Sequence, residues 1–262
     1  MLRARLLTAA VGIPLLVVLV GYAPQWLFAW VMIVFTALGL WEYFSLTQTR
    51  LSLSRGVATA WGSGVAVAMV FTSETGVFAT FLCGFFLCFS LSLRDANPTN
   101  AISGLALVVL GVVYVGMLLP HCILLRQHAS GISWIFFLLL VVMMSDSAAY
   151  AAGRLWGTRK LLPHISPGKT IEGSCGAIVG TLVAAGLSWW WLLPERSVLE
   201  LTLLAVGLGV VAQLGDLCES ALKRACGAKD SGRIFPGHGG VLDRLDSLLF
   251  SSAFLYYYVT VW

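Results

Sequence analysis

Apolar residues in this chain run in blocks of about twenty, and that block length decides what the chain can fold into. Nine stretches qualify: 6–21, 25–46, 56–73, 76–93, 101–120, 132–150, 173–193, 198–215 and 247–262. The breaks between them carry turn chemistry, as in Tyr22-Ala23-Pro24, Ser73-Glu74-Thr75-Gly76, Asp95-Ala96-Asn97-Pro98 and Pro194-Glu195-Arg196-Ser197. Charged residues make up only 11% of the 262, and mean hydropathy is +0.90. Soluble domains carry roughly 25% charge, so this chain cannot clothe a water-facing surface. Lipid must be the solvent for most of it, and in lipid an isolated segment satisfies its backbone only as a helix. The expected fold class is all-α: a polytopic membrane protein of about nine transmembrane helices.

The distribution of charge orients those helices. Arg3 and Arg5 precede the first apolar run in the manner of a signal peptide, but no small-x-small cleavage site follows. We read the run as an uncleaved first span. With the N-terminus inside and nine alternating spans, 14 of the 16 Lys and Arg residues fall in inside segments, leaving only Arg126 and Arg196 outside. Cytoplasmic loops collect Lys and Arg, so the expectation is N-terminus cytoplasmic, C-terminus outside, in the cell inner (cytoplasmic) membrane. The net charge of +4 gives no reason to expect a nucleic-acid partner. Six cysteines show no C-x-x-C pairing and lie mostly in apolar runs, where cysteine behaves as a small hydrophobe.

Two inside segments are long and polar: 146–172 and 216–246. In the second, five acids (Asp216, Glu219, Asp230, Asp243, Asp246) mix with five bases (Lys223, Arg224, Lys229, Arg233, Arg244). If the preceding span continues as a helix, Asp216, Glu219 or Ser220, and Lys223 share one face. Asp243, Asp246 and Ser247 do the same where the last span begins. Two helix ends with carboxylates on one face can converge on a cation, and hard oxygen ligands beside phosphate select Mg²⁺ over zinc. Between them, Phe235-Pro236-Gly237-His238-Gly239-Gly240 cannot sustain a helix and suits a tight loop whose N–H groups approach an anion. Such a mixture serves phosphoryl or nucleotidyl transfer, where cations neutralise phosphate oxygens and the protein supplies position. Taken singly, paired charges at a membrane surface are equally a solvated cap, and a lone histidine a loop residue. Their density in one stretch argues for a site, since carboxylates near membrane depth are costly unless paired or functional.

The first polar segment reads less sharply. Asp146, Tyr150 and Arg154 form one helical stripe, as a salt-bridged helix end would. Ser166-Pro167-Gly168-Lys169-Thr170 offers hydroxyls, a lysine and a helix start, followed by Glu172, but lacks Walker spacing.

The order of residues in the C-terminal segment resembles that of phosphatidate cytidylyltransferases (CDP-diacylglycerol synthases) of the bacterial type. The pattern S-x-x-K-R-x4-K-D-x-G-x3-P-G-H-G-G-x-x-D-R-x-D is complete from Ser220 to Asp246. The upstream stretch is similar to D-T-G-A-Y … G-R … I-S-P-x-K-T-x-E-G, except that Ser147-Ala148 replaces Thr-Gly; no role is assigned to those two positions. Leu40-Trp41-Glu42-Tyr43 also resembles bacterial members. The resemblance implies transfer of the cytidylyl group of CTP to phosphatidate, giving CDP-diacylglycerol and pyrophosphate at a cytoplasm-facing site. It implies Mg²⁺, often with a monovalent cation such as K⁺, and favours a homodimer. Residues 1–130 would then be N-terminal membrane helices and 131–262 the catalytic membrane region. On this resemblance Asp216 and Asp243 bind the metal, with Asp246 a further ligand or a residue orienting one. Lys223, Arg224 and Lys229 neutralise nucleotide and pyrophosphate oxygens. Ser220 bonds a phosphate and Lys169 contacts CTP or the lipid phosphate. His238, Gly239 and Gly240 form the anion-facing turn, while Asp230, Arg244 and Asp146 orient their neighbours. A phosphomonoester is largely ionised near neutral pH, so the attacking phosphatidate needs no dedicated base.

Three rival readings make different demands on the sequence. A transporter or channel would spread charges through several spans near the midplane, whereas these cluster at helix ends. A CDP-alcohol phosphotransferase would carry D-G-x-x-A-R … G-x-x-x-D-x-x-x-D, which is missing. An inactive relative would have lost acids from the main pattern, and none is lost.

Overall fold

Helices begin where the sequence offers a cap. Ser54, Ser73, Asn97 and Thr170 each turn a side-chain oxygen onto a backbone N–H two or three residues on, satisfying a donor that the first turn would leave orphaned. The computed structural model describes residues 2–47, 53–234 and 239–262. Its helices are α1 (Leu2–Gly21), α2 (Gln25–Thr47), α3 (Arg55–Phe71), α4 (Glu74–Ser92), α5 (Pro98–Gly111), α6 (His121–Gln127), α7 (Gly131–Trp156), α8 (Ile171–Trp191), α9 (Val198–Ala225) and α10 (Leu242–Val261). A single hairpin, β1 (Lys160–Leu162) with β2 (Ser166–Thr170), lies between α7 and α8. Its antiparallel register pairs Lys160 with Thr170 and Leu162 with Ser166.

The all-α expectation holds, and each of the nine apolar stretches lies on helical chain. Among the described residues six helical runs are long and apolar enough to cross a membrane: α2, α4, Pro98–Gln127, α7, α8 and α9. Ala10–Gly21 of α1 and all of α3 are shorter apolar helices, and α10 is outside the six. This is a multi-pass membrane protein. The stretch 101–120 falls within one such run, Pro98–Gln127, which is built of α5, a π-helical turn over Val112–Met117, and then α6 beyond Pro120. Pro120 has no N–H for the carbonyl four residues back, and its ring crowds that carbonyl; the regular helix breaks there, whereas α1 continues through Pro14.

The chain divides into two compact units, Met1–Leu124 with Cys226–Leu245, and Leu125–Ala225 with Asp246–Trp262. In the first, α2 packs on α3 and on the π-helical turn, and α3 packs on α4. Leu40, Tyr43, Phe44, Val65 and Val115 are wholly buried there. In the second, α8 packs on both α7 and α9. Small residues set the α7–α8 approach: a Cβ on Gly180 would sit 2.8 Å from the Ala148 Cβ, and one on Gly176 2.8 Å from the Ala148 carbonyl. Close backbone approach through small residues is the usual way membrane helices gain packing. Ala148, left without a role by the motif comparison, thus belongs to this contact. All six cysteines are free.

Candidate active site

Two polar clusters emerge, one in each unit. In the second unit the apolar part of α9 ends near Gly215, yet the helix runs on to Ala225. It thereby carries Asp216, Glu219, Ser220, Lys223 and Arg224 on continuous turns, as the spacing predicts. Ser220 Oγ donates to Asp216 Oδ1 at 3.3 Å, one turn apart. Glu219 is fully buried and ion-paired with Lys223. A buried carboxylate without a partner would be costly, and the i,i+4 lysine answers that cost within the same helix.

The hairpin brings the other polar segment to this helix. Thr170 caps α8, and Glu172 in its first turn accepts from Thr158 N at 3.2 Å, Thr158 Oγ1 at 2.8 Å and Arg159 N at 3.2 Å. These bonds pin the base of the hairpin to the helix it precedes. Lys169, on β2, then places Nζ 2.7 Å from Asp216 Oδ2. Its ammonium is shut off from solvent, while the side chains as wholes are about a quarter to a third exposed, 24% and 32%. Arg224 Nε donates to the Ile165 carbonyl at the hairpin turn, 3.3 Å away. The two polar segments singled out in the sequence therefore meet through Lys169–Asp216 and Arg224–Ile165. Asp146 is exposed on α7, where Arg154 donates to the Tyr150 hydroxyl at 3.0 Å.

Asp246 lies just ahead of the apolar stretch 247–262. Burial and the negative charge of Asp216 push its carboxyl up to about 7, with Lys223 opposing and Asp146 adding to the rise. A bound cation would favour the charged form of such a carboxylate. The α9 and α10 backbones come close here, since a Cβ on Gly215 would sit 2.5 Å from the Asp246 carbonyl.

In the first unit, Asp243 occupies the first turn of α10. Its Oδ2 accepts from Ser231 N (2.8 Å), Ser231 Oγ (2.9 Å) and Gly240 N (2.8 Å). Gly239 adopts φ of +82°, and a Cβ there would press within 2.5 Å of the same oxygen; glycine answers both demands. Lys229, Asp230 and Arg244 are exposed, and Gly240 is buried. His238 lies outside the described residues, with Phe235, Pro236 and Gly237. Among the described residues no three Asp, Glu, His or Cys side chains gather closely enough to hold one ion. Mg²⁺ does not require three, being commonly held by one or two carboxylates together with substrate phosphates.

Two residues of this cluster were given no role from the sequence: Ser231 and Glu42. The signal for Glu42 was present, since it is the one charged residue in α2.

The sequence model of the cytidylyltransferase family matches residues 3–262. The chain belongs to that family. Within the family it is similar to the phosphatidate cytidylyltransferase of Staphylococcus haemolyticus, 31% identical over 95% of each chain. The phosphatidate cytidylyltransferase of Bacillus subtilis is 45% identical over 153 residues, 57% of this chain and 56% of that one. That of Synechocystis is 29% identical over 98% of this chain and 96% of its own. The family match covers both polar clusters, and the bacterial resemblance read from the motifs stands.

Proposed function

We propose that this chain is a phosphatidate cytidylyltransferase. An oxygen of the phosphatidate phosphate attacks the α-phosphorus of CTP, a new P–O–P link forms, and the bond to the β-phosphate breaks to release pyrophosphate. The observation that carries the reading is the Lys169–Asp216 pair, which joins the two polar segments whose residue order matches the family. The 31% identity to the Staphylococcus haemolyticus enzyme along nearly the whole of both chains supplies the substrate class.

The difficulty in this reaction is bringing one phosphate anion onto another. Lys169, Lys223 and Arg224 neutralise phosphate oxygens, and Ser220 donates to one of them. The sequence pattern adds Lys229, Arg244 and the Gly239-Gly240 turn to the anion-binding groups, with Asp230 and Asp146 orienting partners. Mg²⁺ is the fitting ion: the donors are hard oxygens, and the rise at Asp246, from burial and then from the charge of Asp216, marks a carboxylate short of positive charge. Asp216 and Asp246 would hold it, with Asp243 assigned to the ion by the sequence pattern alone, and when bound it supplies neutralisation of the triphosphate. The finer topology belongs to this proposal too: nine crossings, the N-terminus and the site on the cytoplasmic side of the inner membrane. Its support is the segregation of 14 of 16 basic residues to one side.

The test is product identity. Purified protein in mixed micelles with CTP, phosphatidate and Mg²⁺ should yield CDP-diacylglycerol by mass spectrometry. An intact phosphatidate pool after prolonged incubation, with correctly folded protein, would end the reading.

A further inference from the structure

A carboxylate has no ordinary reason to sit inside α2. The helix runs from Gln25 to Thr47 with one charged residue, Glu42, which is 4% exposed. A solvated helix end would leave this side chain in water; a structural ion pair would give it a cation. Neither is found. Among the described residues its partners are three neutral donors: Ser231 Oγ at 3.0 Å from Oε2, Leu242 N at 2.9 Å from Oε2, and Val241 N at 3.0 Å from Oε1.

Those donors lie 189 to 200 residues away along the chain, on both sides of the glycine-rich turn in the sequence. Val241 and Leu242 are at the start of α10, where the first N–H groups have no partner in the helix and a negative charge is stabilised. The turn is shaped around the carboxylate. A Cβ on Gly232 or on Gly240 would lie 2.6 Å from the Glu42 Cδ, so a larger residue at either place would displace it.

The Ser231 hydroxyl also reaches Asp243 Oδ2 at 2.9 Å and accepts from Asp243 N at 3.2 Å. It has one hydrogen and two carboxylates within range, so it links Glu42 to Asp243 and serves one at a time. Asp243 keeps Ser231 N and Gly240 N in either case. The orientation of Asp243 is thus fixed by a segment that Glu42 holds at both ends. We infer that Glu42 is a positioning residue for cytidylyl transfer: from α2 it fixes the Ser231–Leu242 segment, and through Ser231 the carboxylate of Asp243.

This inference rests on the proposed activity, and its test separates the two. Glu42→Gln preserves shape, but its amide cannot accept from Val241 N, Leu242 N and Ser231 Oγ together. Ser231→Ala removes the link to Asp243 while leaving the hold of Glu42 on α10. Each is purified in the full chain and read by amide hydrogen exchange over 229–245 and by steady-state kinetics with CTP and phosphatidate. Exchange over 229–245 should quicken at least tenfold in Glu42→Gln, with α7 and α8 unchanged. In both variants kcat should fall about 10- to 100-fold, the usual effect of losing a residue that orients a ligand, with KM for phosphatidate within about twofold. A folded Glu42→Gln with unchanged exchange and kcat overturns the inference. Should Glu42→Gln fail to insert, Ser231→Ala decides it: normal kcat overturns, a depressed kcat at constant KM supports. A wild-type chain that makes no CDP-diacylglycerol defeats the functional reading instead, and the exchange result still judges Glu42.

Discussion

The two polar clusters hold their aspartates by opposite means. Asp216 is held by side chains: the ammonium of Lys169 at 2.7 Å, itself shut off from solvent, and the hydroxyl of Ser220 at 3.3 Å. Asp243 is held mainly by backbone, with Ser231 N and Gly240 N each at 2.8 Å, behind a turn shaped by glycines. A lysine on a hairpin can leave its carboxylate for a phosphate, because its charge is wanted by either. Backbone amides in a packed turn cannot, since an abandoned buried donor carries its full desolvation cost. The first cluster is thus built to exchange partners and the second to stay fixed. Nucleotidyl transfer in general draws on groups of both kinds, cations that yield to an incoming anion and donors that stay fixed.

Substitutions can break this contrast at either end. The largest effect is expected at Asp243→Asn, which turns an acceptor of three donors into a group with its own N–H facing them: kcat should drop roughly a thousandfold or more. The protein should still insert, and retained Mg²⁺-dependent turnover would detach Asp243 from the chemistry. Next comes Lys169→Met, which keeps the stem and deletes the charge. We expect kcat/KM for CTP to fall about 100-fold, with hydrogen exchange of the 226–245 segment unaltered. Equal disturbance of that segment would erase the distinction between a yielding and a fixed cluster. Smaller still is Glu172→Gln, which weakens the tie between hairpin and α8 through Thr158 and Arg159. Being exposed, those bonds should cost at most about fivefold in KM for CTP. Arg154→Ala, which removes the donor to the exposed Tyr150 hydroxyl, should leave both constants within about twofold, and a larger loss would draw the Tyr150–Arg154 stripe into the site.

How far these clusters were legible in the sequence follows from the range of their bonds. The run of α9 past Gly215 was readable because Asp216, Ser220 and Lys223 keep helical spacing, and the bond from Ser220 to Asp216 is local. The caps at Ser54, Ser73, Asn97 and Thr170 are local too. The hairpin was not seen. Lys160–Leu162 and Ser166–Thr170 are three and five residues long, and the second contains Pro167 and Gly168, which read as a loop until a partner strand is known. Proline alone did not announce the interruption at Pro120, since Pro14 sits inside the continuous α1. Glu42 is the instructive case. Its three partners are some 190 to 200 residues distant, so no spacing rule could pair them; only its oddity as one acid in an apolar helix pointed to a role.

The account stands or falls on which phosphorus of CTP is transferred. The direct measurement is a paired incubation of the purified chain with phosphatidate and Mg²⁺, one tube holding CTP labelled at the α-phosphate and the other at the γ-phosphate. The predicted result is α-label in the lipid phase and γ-label in released pyrophosphate, both abolished by EDTA. Label from the γ-phosphate in the lipid, or none from either position, would contradict it.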